Sequence, residues 1–173
     1  MSRPISRFVF AAFCTIWVSS ALAAPLMRTQ PPCTPSPDRC FEFWADESVP
    51  IFRSFTFTAP SAGYASVTFH GTLQCYNLAS NRVVVDLETA IVTRPEAPVA
   101  WSVPSGLKHA AVLEASADGL NPSVAFNLAS TRIVGIAAAG ARTYYFKAAK
   151  LRMDSGSACR VFNAAFSVVF LPR

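Results

Sequence analysis

Residues 63–77 read GYASVTFHGTLQCYN, which is the longest clean two-residue alternation in the chain. Because a β-strand sends successive side chains to opposite faces, this pattern predicts a strand with one buried face and one solvated face. Gly71 falls on the buried side, where a glycine predicts a bulge or a close backbone approach. The predicted inner residues are Ala65, Val67, Phe69, Leu73 and Cys75, and the predicted outer residues are Tyr64, Ser66, Thr68, His70, Thr72 and Gln74.

Short alternating stretches follow one another along the rest of the chain, with turn residues between them. This spacing predicts an all-β fold, either an antiparallel two-sheet sandwich or a barrel. Residues 107–115 are rich in alanine and leucine, so their composition also fits a helical turn. The predicted strands cover residues 41–44, 51–58, 83–92, 99–103, 123–129, 132–136, 143–151 and 160–170.

One nine-residue pattern occurs twice, fifty positions apart. Residues 76–84 read YNLASNRVV and residues 126–134 read FNLASTRIV. A duplicated hairpin would explain the match, and so would convergent turn chemistry, because Asn and Ser side chains both bond their own backbone. The match does not extend beyond these windows, so the pattern does not indicate a repeat domain.

The first 23 residues have the features of a secretory signal peptide. Arg3 and Arg7 precede an apolar run, Phe8–Val18, that is shorter than a membrane-spanning helix. Ala21-Leu22-Ala23 then offers small residues for cleavage after Ala23. We therefore expect a secreted or periplasmic protein with no transmembrane segment after cleavage, the alternative being a retained membrane helix.

Cleavage after Ala23 would leave 150 of the 173 residues, a size that normally forms one domain. Residues 24–40 carry five prolines and predict an extended, irregular arm, which leaves residues 41–173 as the predicted β-sandwich domain. The formal net charge is +5 and falls to about +3 without the leader. Because these charges are few and scattered, we expect no nucleic-acid partner.

Four cysteines follow the leader, and an even number in an exported chain predicts disulfides. Three pairings are possible, and we favour Cys33 with Cys40 and Cys75 with Cys159. The first closes a short loop in the arm, and the second ties the central strand to the last strand. A zinc site is the alternative, but a Cys-x6-Cys spacing lacks the usual tight ligand arrangement.

No motif in the sequence specifies a chemistry. His70 and His109 show no spacing that suits metal ligands, so both are predicted to be ordinary polar surface residues, and no metal or other cofactor is expected. Asp154-Ser155-Gly156 is faintly similar to the nucleophile region of trypsin-like proteases, but a hairpin turn explains it better. No catalytic residue is predicted, although two acids distant in sequence can meet in space.

Two residue groups are weak candidates for a binding surface. The basic residues Lys147, Lys150, Arg152 and Arg160 lie near the C-terminus, where a solvated strand face is the more usual outcome than a site for an acidic polymer. Aromatic residues are the second group, although aromatics at strand spacing more often belong to a core than to a sugar site. These residues are Trp44, Trp101, Tyr64, Tyr144 and Tyr145.

Parts of the chain resemble the C1q/TNF-like jelly roll. Residues 57–64, FTAPSAGY, followed by 67–70, VTFH, are similar to an early strand of that family, where a proline-glycine turn leads into an aromatic run. Residues 140–148 and 162–172 are similar to its last two strands. The resemblance implies a jelly-roll-like, ten-stranded sandwich that is often trimeric and binds other molecules without catalysis.

Three functions remain open from the sequence. The first is a secreted, non-enzymatic β-sandwich that binds an extracytoplasmic protein or glycan, with its ligand-binding residues unknown. The second is a structural or assembly subunit of the cell envelope or surface, and the third is a hydrolase with dispersed acidic residues.

Uniform alternation gives the last strand two apolar faces, so either it is central between two covered layers or one face meets another subunit. The resemblance to the C1q/TNF-like jelly roll favours the subunit contact and implies a homo-trimer, which we expect. An apolar face that is not covered within the chain would meet another subunit. One face would carry Phe162, Ala164, Phe166, Val168 and Phe170, and the other Cys159, Val161, Ala165 and Val169.

Overall fold

The computed structural model describes residues 25–30, 39–48, 51–116 and 120–173, with the side chains of residues 39 and 40 left out. The predicted leader lies outside these ranges. Within them, no helix has the length and apolar character needed to cross a membrane. The strands are β1 (Leu26–Thr29), β2 (Arg39–Trp44), β3 (Ile51–Ala59), β4 (Gly63–Asn77), β5 (Val83–Val92), β6 (Leu107–Leu113), β7 (Ser123–Ile136), β8 (Gly140–Met153) and β9 (Ser157–Pro172).

The strands form two antiparallel sheets. In sheet A, β1 and β2 pair with successive stretches of the same edge of β9, residues 167–170 and 158–162, and the order continues through β4 to β7. Sheet B has the order β3-β8-β5-β6. The order β2-β9-β4-β7 packed on β3-β8-β5-β6 is that of a jelly roll, and from β2 onward each strand passes to the other sheet except at β5–β6, which pair within sheet B. The predicted all-β, two-sheet sandwich is confirmed.

The core lies between the sheets and is organised around β4, as the alternation predicts. Ala65, Val67, Phe69, Leu73 and Cys75 are all fully buried. The Phe69 ring stacks on Phe146 of sheet B at 3.7 Å between centroids. Burial of an apolar side chain of this size contributes about 1.5–3 kcal/mol, so the inner face of β4 is a main source of stability.

A disulfide joins Cys75 to Cys159, which confirms this predicted pairing. The two cysteines lie directly opposite each other on β4 and β9 and are separated by 84 residues in sequence. The chain-entropy model assigns such a closed loop about 4 kcal/mol. A disulfide is consistent with an oxidising compartment outside the cytoplasm, while secretion stays a prediction. The predicted Cys33–Cys40 bond lies outside the described residues.

The predicted proline-rich arm contributes to sheet A. Leu26–Thr29 forms the regular strand β1, in register with residues 167–170 of β9. Strand β2 begins at Arg39, also within the predicted arm. Both ends of this segment therefore form strands of the sandwich, although its prolines predict an irregular chain.

The prediction of two apolar faces for β9 is wrong, because the strand contains a bulge. His70 pairs with Ala165 and Thr72 pairs with Phe162, so Asn163 and Ala164 together stand opposite the single residue Gly71. One extra residue reverses the alternation of every side chain beyond it. Cys159 and Val161 therefore share the inner face with Ala164, Phe166, Val168 and Phe170.

The bulge has an identifiable local chemistry. Asn163 has φ 49°, in the left-handed region that asparagine tolerates better than most residues. The Ala164 carbonyl accepts a hydrogen bond from Arg53 of sheet B. A Cβ atom at Gly71 would lie 3.1 Å from the Cβ of Ala164, so the glycine also permits the close approach.

The bulge removes the argument for a trimer. Phe166 and Phe170 are fully buried within one chain, and the outer face of β9 carries Arg160 and Ser167 among its residues. The trimer itself stays a prediction, but no apolar face of β9 supports it.

Several boundaries differ from the sequence predictions. Leu107–Leu113 forms strand β6, and residues 99–103 lie in the loop between β5 and β6. The two short strands predicted over 123–136 are the single strand β7. Because residues 126–134 lie inside β7, whereas 76–84 span the turn between β4 and β5, the repeated pattern is not a duplicated hairpin.

The segment at Asp154 is a turn, but it is not a hairpin, because it passes from β8 in sheet B to β9 in sheet A. The Asp154 carboxylate accepts a hydrogen bond from the Val84 N–H at 2.8 Å. The Asp154 carbonyl accepts another from the Ser157 hydroxyl at 2.6 Å. These bonds give Asp154 and Ser157 structural roles in the turn.

Candidate binding site on the outer face of sheet A

A shallow recess of about 200 Å³ lies on the outer face of sheet A, at the end nearer the disulfide. Its side chains come from four neighbouring strands of the sheet and the loop before β7. We call it the Arg160 cleft. Its lining residues are Glu42, Gln74, Tyr76, Asn121, Ser123 and Arg160.

The strand register places these groups together. Arg160 of β9 lies opposite Gln74 of β4 on one side and opposite Glu42 of β2 on the other. Under uniform alternation from Phe170, Arg160 would point into the core, so the bulge is what directs it outward. Sequence reasoning placed Gln74 correctly on the outer face, but it found Arg160 only as a member of a basic cluster.

The guanidinium group of Arg160 is held in one orientation. Its Nε and Nη2 atoms donate to Gln74 Oε1 at 3.0 Å and 2.8 Å. Its Cζ atom lies 5.3 Å from the ring centroid of Tyr76 and 4.8 Å from that of Phe162. A planar guanidinium that stacks on aromatic rings loses little conformational freedom when it binds a ligand. The cleft is therefore preorganised for ligand binding.

The other side chains of the cleft also form a connected network. Gln74 Nε2 donates to Ser123 Oγ at 3.1 Å, and the Tyr76 hydroxyl donates to the Glu42 carboxylate. Cation, carboxylate and amide groups thus surround one small recess. Among the described residues that line the cleft, Glu42 is the one carboxylate.

A second recess, of about 360 Å³, lies next to the β2–β3 connection. Trp44, two residues after Glu42 on the same face of β2, lines it and is 42% exposed. Asp46 and Ser155 add polar atoms to its wall. Lys150 stabilises the connection by donating from Nζ to the Ala45 carbonyl at 2.8 Å.

The basic residues near the C-terminus do not form one cluster. Lys147 and Lys150 extend from sheet B to backbone carbonyls, among them Ala97 O and Ala45 O, both at 2.8 Å. Arg152 pairs with Asp154 at 2.9 Å. The hydrogen bond that Arg152 donates to the Asp154 carboxylate lowers the pKa of this carboxyl. Arg160 alone of the four contributes to the cleft in sheet A.

The candidate aromatic residues are also dispersed. Tyr144 is buried in the core, where burial raises the pKa of its hydroxyl. Tyr64 lies near the opposite end of β4 from the cleft and contacts Arg173. Trp101 is exposed in the loop between β5 and β6. Tyr76, which lines the cleft, and Phe162, on which Arg160 packs, were not among the candidate aromatic residues.

The two histidines have different environments. His70 is exposed on the outer face of β4, as predicted. The prediction that His109 is a surface residue is wrong, because β6 directs it inward beside Phe126, where its Nε2 is 2.9 Å from Thr89 Oγ1. Burial lowers the pKa of His109. Among the described residues, no group of three or more His, Cys, Asp or Glu side chains is arranged to hold a metal ion.

Solved structures that are similar to this chain include two from one virus. The T13 viral particle of infectious bursal disease virus matches with a TM-score of 0.41 and 10% identity, over 84% of this chain and 31% of that one. The VP2 subviral particle of the same virus matches with a TM-score of 0.37 and 9% identity, over 84% and 32%. This chain therefore spans about a third of the length of those chains, and no function is transferred from them.

No protein-family model matches the sequence, and no curated protein matches it. The resemblance to the C1q/TNF-like jelly roll stays a prediction.

Proposed function

We propose that this jelly roll is a non-enzymatic binding module that recognises an extracytoplasmic glycan in the Arg160 cleft. The observation that carries the proposal is the fixed guanidinium of Arg160, which bonds Gln74 and lies against the rings of Tyr76 and Phe162. Compartment and ligand class are both parts of the proposal.

The chemistry of the cleft suits a hydroxyl-rich ligand. Sugar hydroxyls both donate and accept hydrogen bonds, and the cleft offers guanidinium donors, a carboxylate acceptor at Glu42 and the amide of Asn121, which does both. At about 200 Å³ the recess is smaller than the pockets that enclose a drug-sized ligand. It therefore fits one sugar unit of a longer chain that lies across the sheet.

A glycan array followed by titration calorimetry tests the proposal. The exported protein should bind at least one glycan class, and Arg160→Met should weaken that binding at least tenfold, because it keeps the apolar stem and removes every donor. Arg94→Met is the matched control, since Arg94 is an exposed loop residue paired with Glu96. Thermal melts of both variants should match the wild-type protein within about 1 kcal/mol.

Two results would contradict the proposal. One is an array without any glycan that binds reproducibly. The other is a glycan whose affinity is the same for the wild-type protein and for Arg160→Met, since that would place the binding surface elsewhere.

A structural or assembly subunit is the second candidate function, and the uncharged edge of sheet A favours it. Strand β7 is 14 residues long, and among the described strands it pairs with β4 alone. An edge of this kind is a template for pairing with another chain. The two candidates are compatible, because the Arg160 cleft opens on the face of the sheet and not along its edge.

A further inference from the structure

The edge strand β7 differs from the other edges of the sandwich. The edge strand β6 has seven residues and presents Lys108, which pairs with Asp86 at 3.3 Å. The edge strand β3 is partly used, because Gln30 Nε2 donates to the Ser54 carbonyl at 3.1 Å. Short strands, charges and covering groups are the usual protections of a sheet edge, and the described part of the chain places none of them along the open edge of β7.

The backbone groups that face the open side of β7 can be identified from the ladder. Asn77 N donates to the Pro122 carbonyl at 2.9 Å, which continues the β4–β7 pairing by one step. Because hydrogen-bonded pairs alternate along an antiparallel ladder, the even-numbered residues of β7 bond β4. The odd-numbered residues direct their N–H and C=O groups to the open side. These residues are Ala125, Asn127, Ala129, Thr131 and Ile133.

The same odd-numbered residues point their side chains to the outer face, and all of them are exposed. None is charged, and Ile133 is 74% exposed, the largest fraction of any valine, isoleucine or leucine on β7. The one charged residue of β7, Arg132, points inward and donates to the Ile91 carbonyl at 2.8 Å. A second strand can therefore approach this edge without meeting a charge.

We propose that β7 pairs antiparallel with β7 of a second copy of this chain, around a two-fold axis at Ala129. Positions that are equally far before and after Ala129 then lie opposite each other. Ala129 faces itself, Asn127 faces Thr131, and Ala125 faces Ile133. The two copies of sheet A become one continuous sheet in a closed dimer.

This register satisfies both the backbone and the side chains. Each odd-numbered position meets another odd-numbered position, so the pairing forms about ten backbone hydrogen bonds from groups that otherwise face solvent. The exposed Ile133 side chain covers Ala125 of the second copy, and Asn127 and Thr131 are matched polar neighbours. A second copy is favoured over an unrelated peptide, because the edge is complementary to itself at every outer position.

The experiment is light scattering of the exported protein at micromolar concentration, which should give twice the mass of one chain. Ala129→Lys places two like charges opposite each other at the axis, so this variant should have the monomer mass while it still unfolds cooperatively, with a melting temperature that no longer depends on protein concentration. Ala129→Glu should behave in the same way, and an equal mixture of the two variants should recover the dimer mass. Thr58→Lys adds the same charge on sheet B and should remain a dimer.

A cysteine variant tests the register directly. Ala129→Cys should give a covalent dimer on mild oxidation, because position 129 lies opposite itself. Thr58→Cys should remain a single chain under the same conditions. A wild-type protein of monomer or trimer mass would overturn the proposal, and so would an Ala129→Lys variant that keeps the dimer mass.

Discussion

The two halves of β9 have similar compositions and opposite phases. Before the bulge, the odd-numbered residues Cys159 and Val161 point inward, and after it the even-numbered residues Phe166 and Phe170 do so. Uniform alternation would give β9 two apolar faces. The one extra residue at the bulge instead places the apolar side chains named above on a single inner face. The same residue directs Arg160 outward and creates the candidate site. Which residues of a strand point outward decides where a binding site can form. Composition alone does not reveal this.

Deletion of Ser167 should have the largest effect, because β9 has no extra residue at this position. Either Phe166 or both Val168 and Phe170 must then leave the core. We expect the free energy of unfolding to fall by more than about 5 kcal/mol, enough to unfold a domain of ordinary stability. Circular dichroism during heating measures this loss.

Deletion of Asn163 is the matched control, because it removes the extra residue of the bulge. Val161, Ala164 and Phe166 then alternate regularly and keep their inner positions. This variant should therefore remain folded, and an Asn163 deletion that is less stable than the Ser167 deletion would contradict the assigned bulge.

Removal of one aromatic ring from each half of β9 should lower the free energy of unfolding by unequal amounts. Phe166→Ala should cost about 3–5 kcal/mol, because it leaves a cavity beside Phe69 in the core. Phe162→Ala, on the outer face, should cost about 1 kcal/mol or less. Urea denaturation measures both variants, and equal losses would mean that the faces of the first half are wrongly assigned.

A smaller effect is expected at the bulge itself. Asn163→Val should cost about 1–2 kcal/mol, because a β-branched residue is strained at a φ of 49°. Asn163→Gly should leave the free energy of unfolding within about 0.5 kcal/mol, since glycine adopts this conformation without strain. A valine variant as stable as the glycine variant would indicate that Asn163 has ordinary extended backbone. Denaturation of the two variants side by side makes the comparison.

The smallest effect should be a pH dependence from His109. Burial lowers the pKa of the folded-state imidazole, whereas the unfolded chain binds a proton near pH 6.5. The contribution of His109 to stability is therefore complete above about pH 6.5 and declines as the pH falls from there toward the folded-state pKa. Melts between pH 8 and pH 5 should show this decline, and His109→Gln should reduce it. If His109→Gln loses as much stability with falling pH as the wild-type protein does, other groups cause the pH dependence.

Local alternation was sufficient to predict the central part of the fold. Both faces of β4 follow from its two-residue period, which depends on near neighbours in sequence. The even cysteine count predicted disulfides but left three pairings open, of which the favoured Cys75–Cys159 bond is present. Residues 107–113 show where composition fails, since pairing with β5 overrides the helical preference of alanine and leucine. His109 was misplaced for the same reason.

The candidate site was less predictable than the core. Gln74 and Arg160 are 86 residues apart in sequence and meet only through the β4–β9 register. That register includes the bulge, whose position depends on which strands pair and not on the sequence of β9 alone. Gly71 was a partial signal, because it indicated a bulge or close approach at this level of the sheet, although the extra residue lies in the partner strand.

Thiol labelling of two single variants tests the central claim most directly. Val161→Cys and Phe162→Cys introduce a thiol at adjacent positions just before the bulge, and the native protein is then treated with a thiol reagent. The assigned phase predicts rapid labelling at position 162 and strong protection at position 161, because Val161 is fully buried. Rapid labelling at position 161 with protection at 162 would show that β9 has no change of phase, and the Arg160 cleft would lose its structural basis.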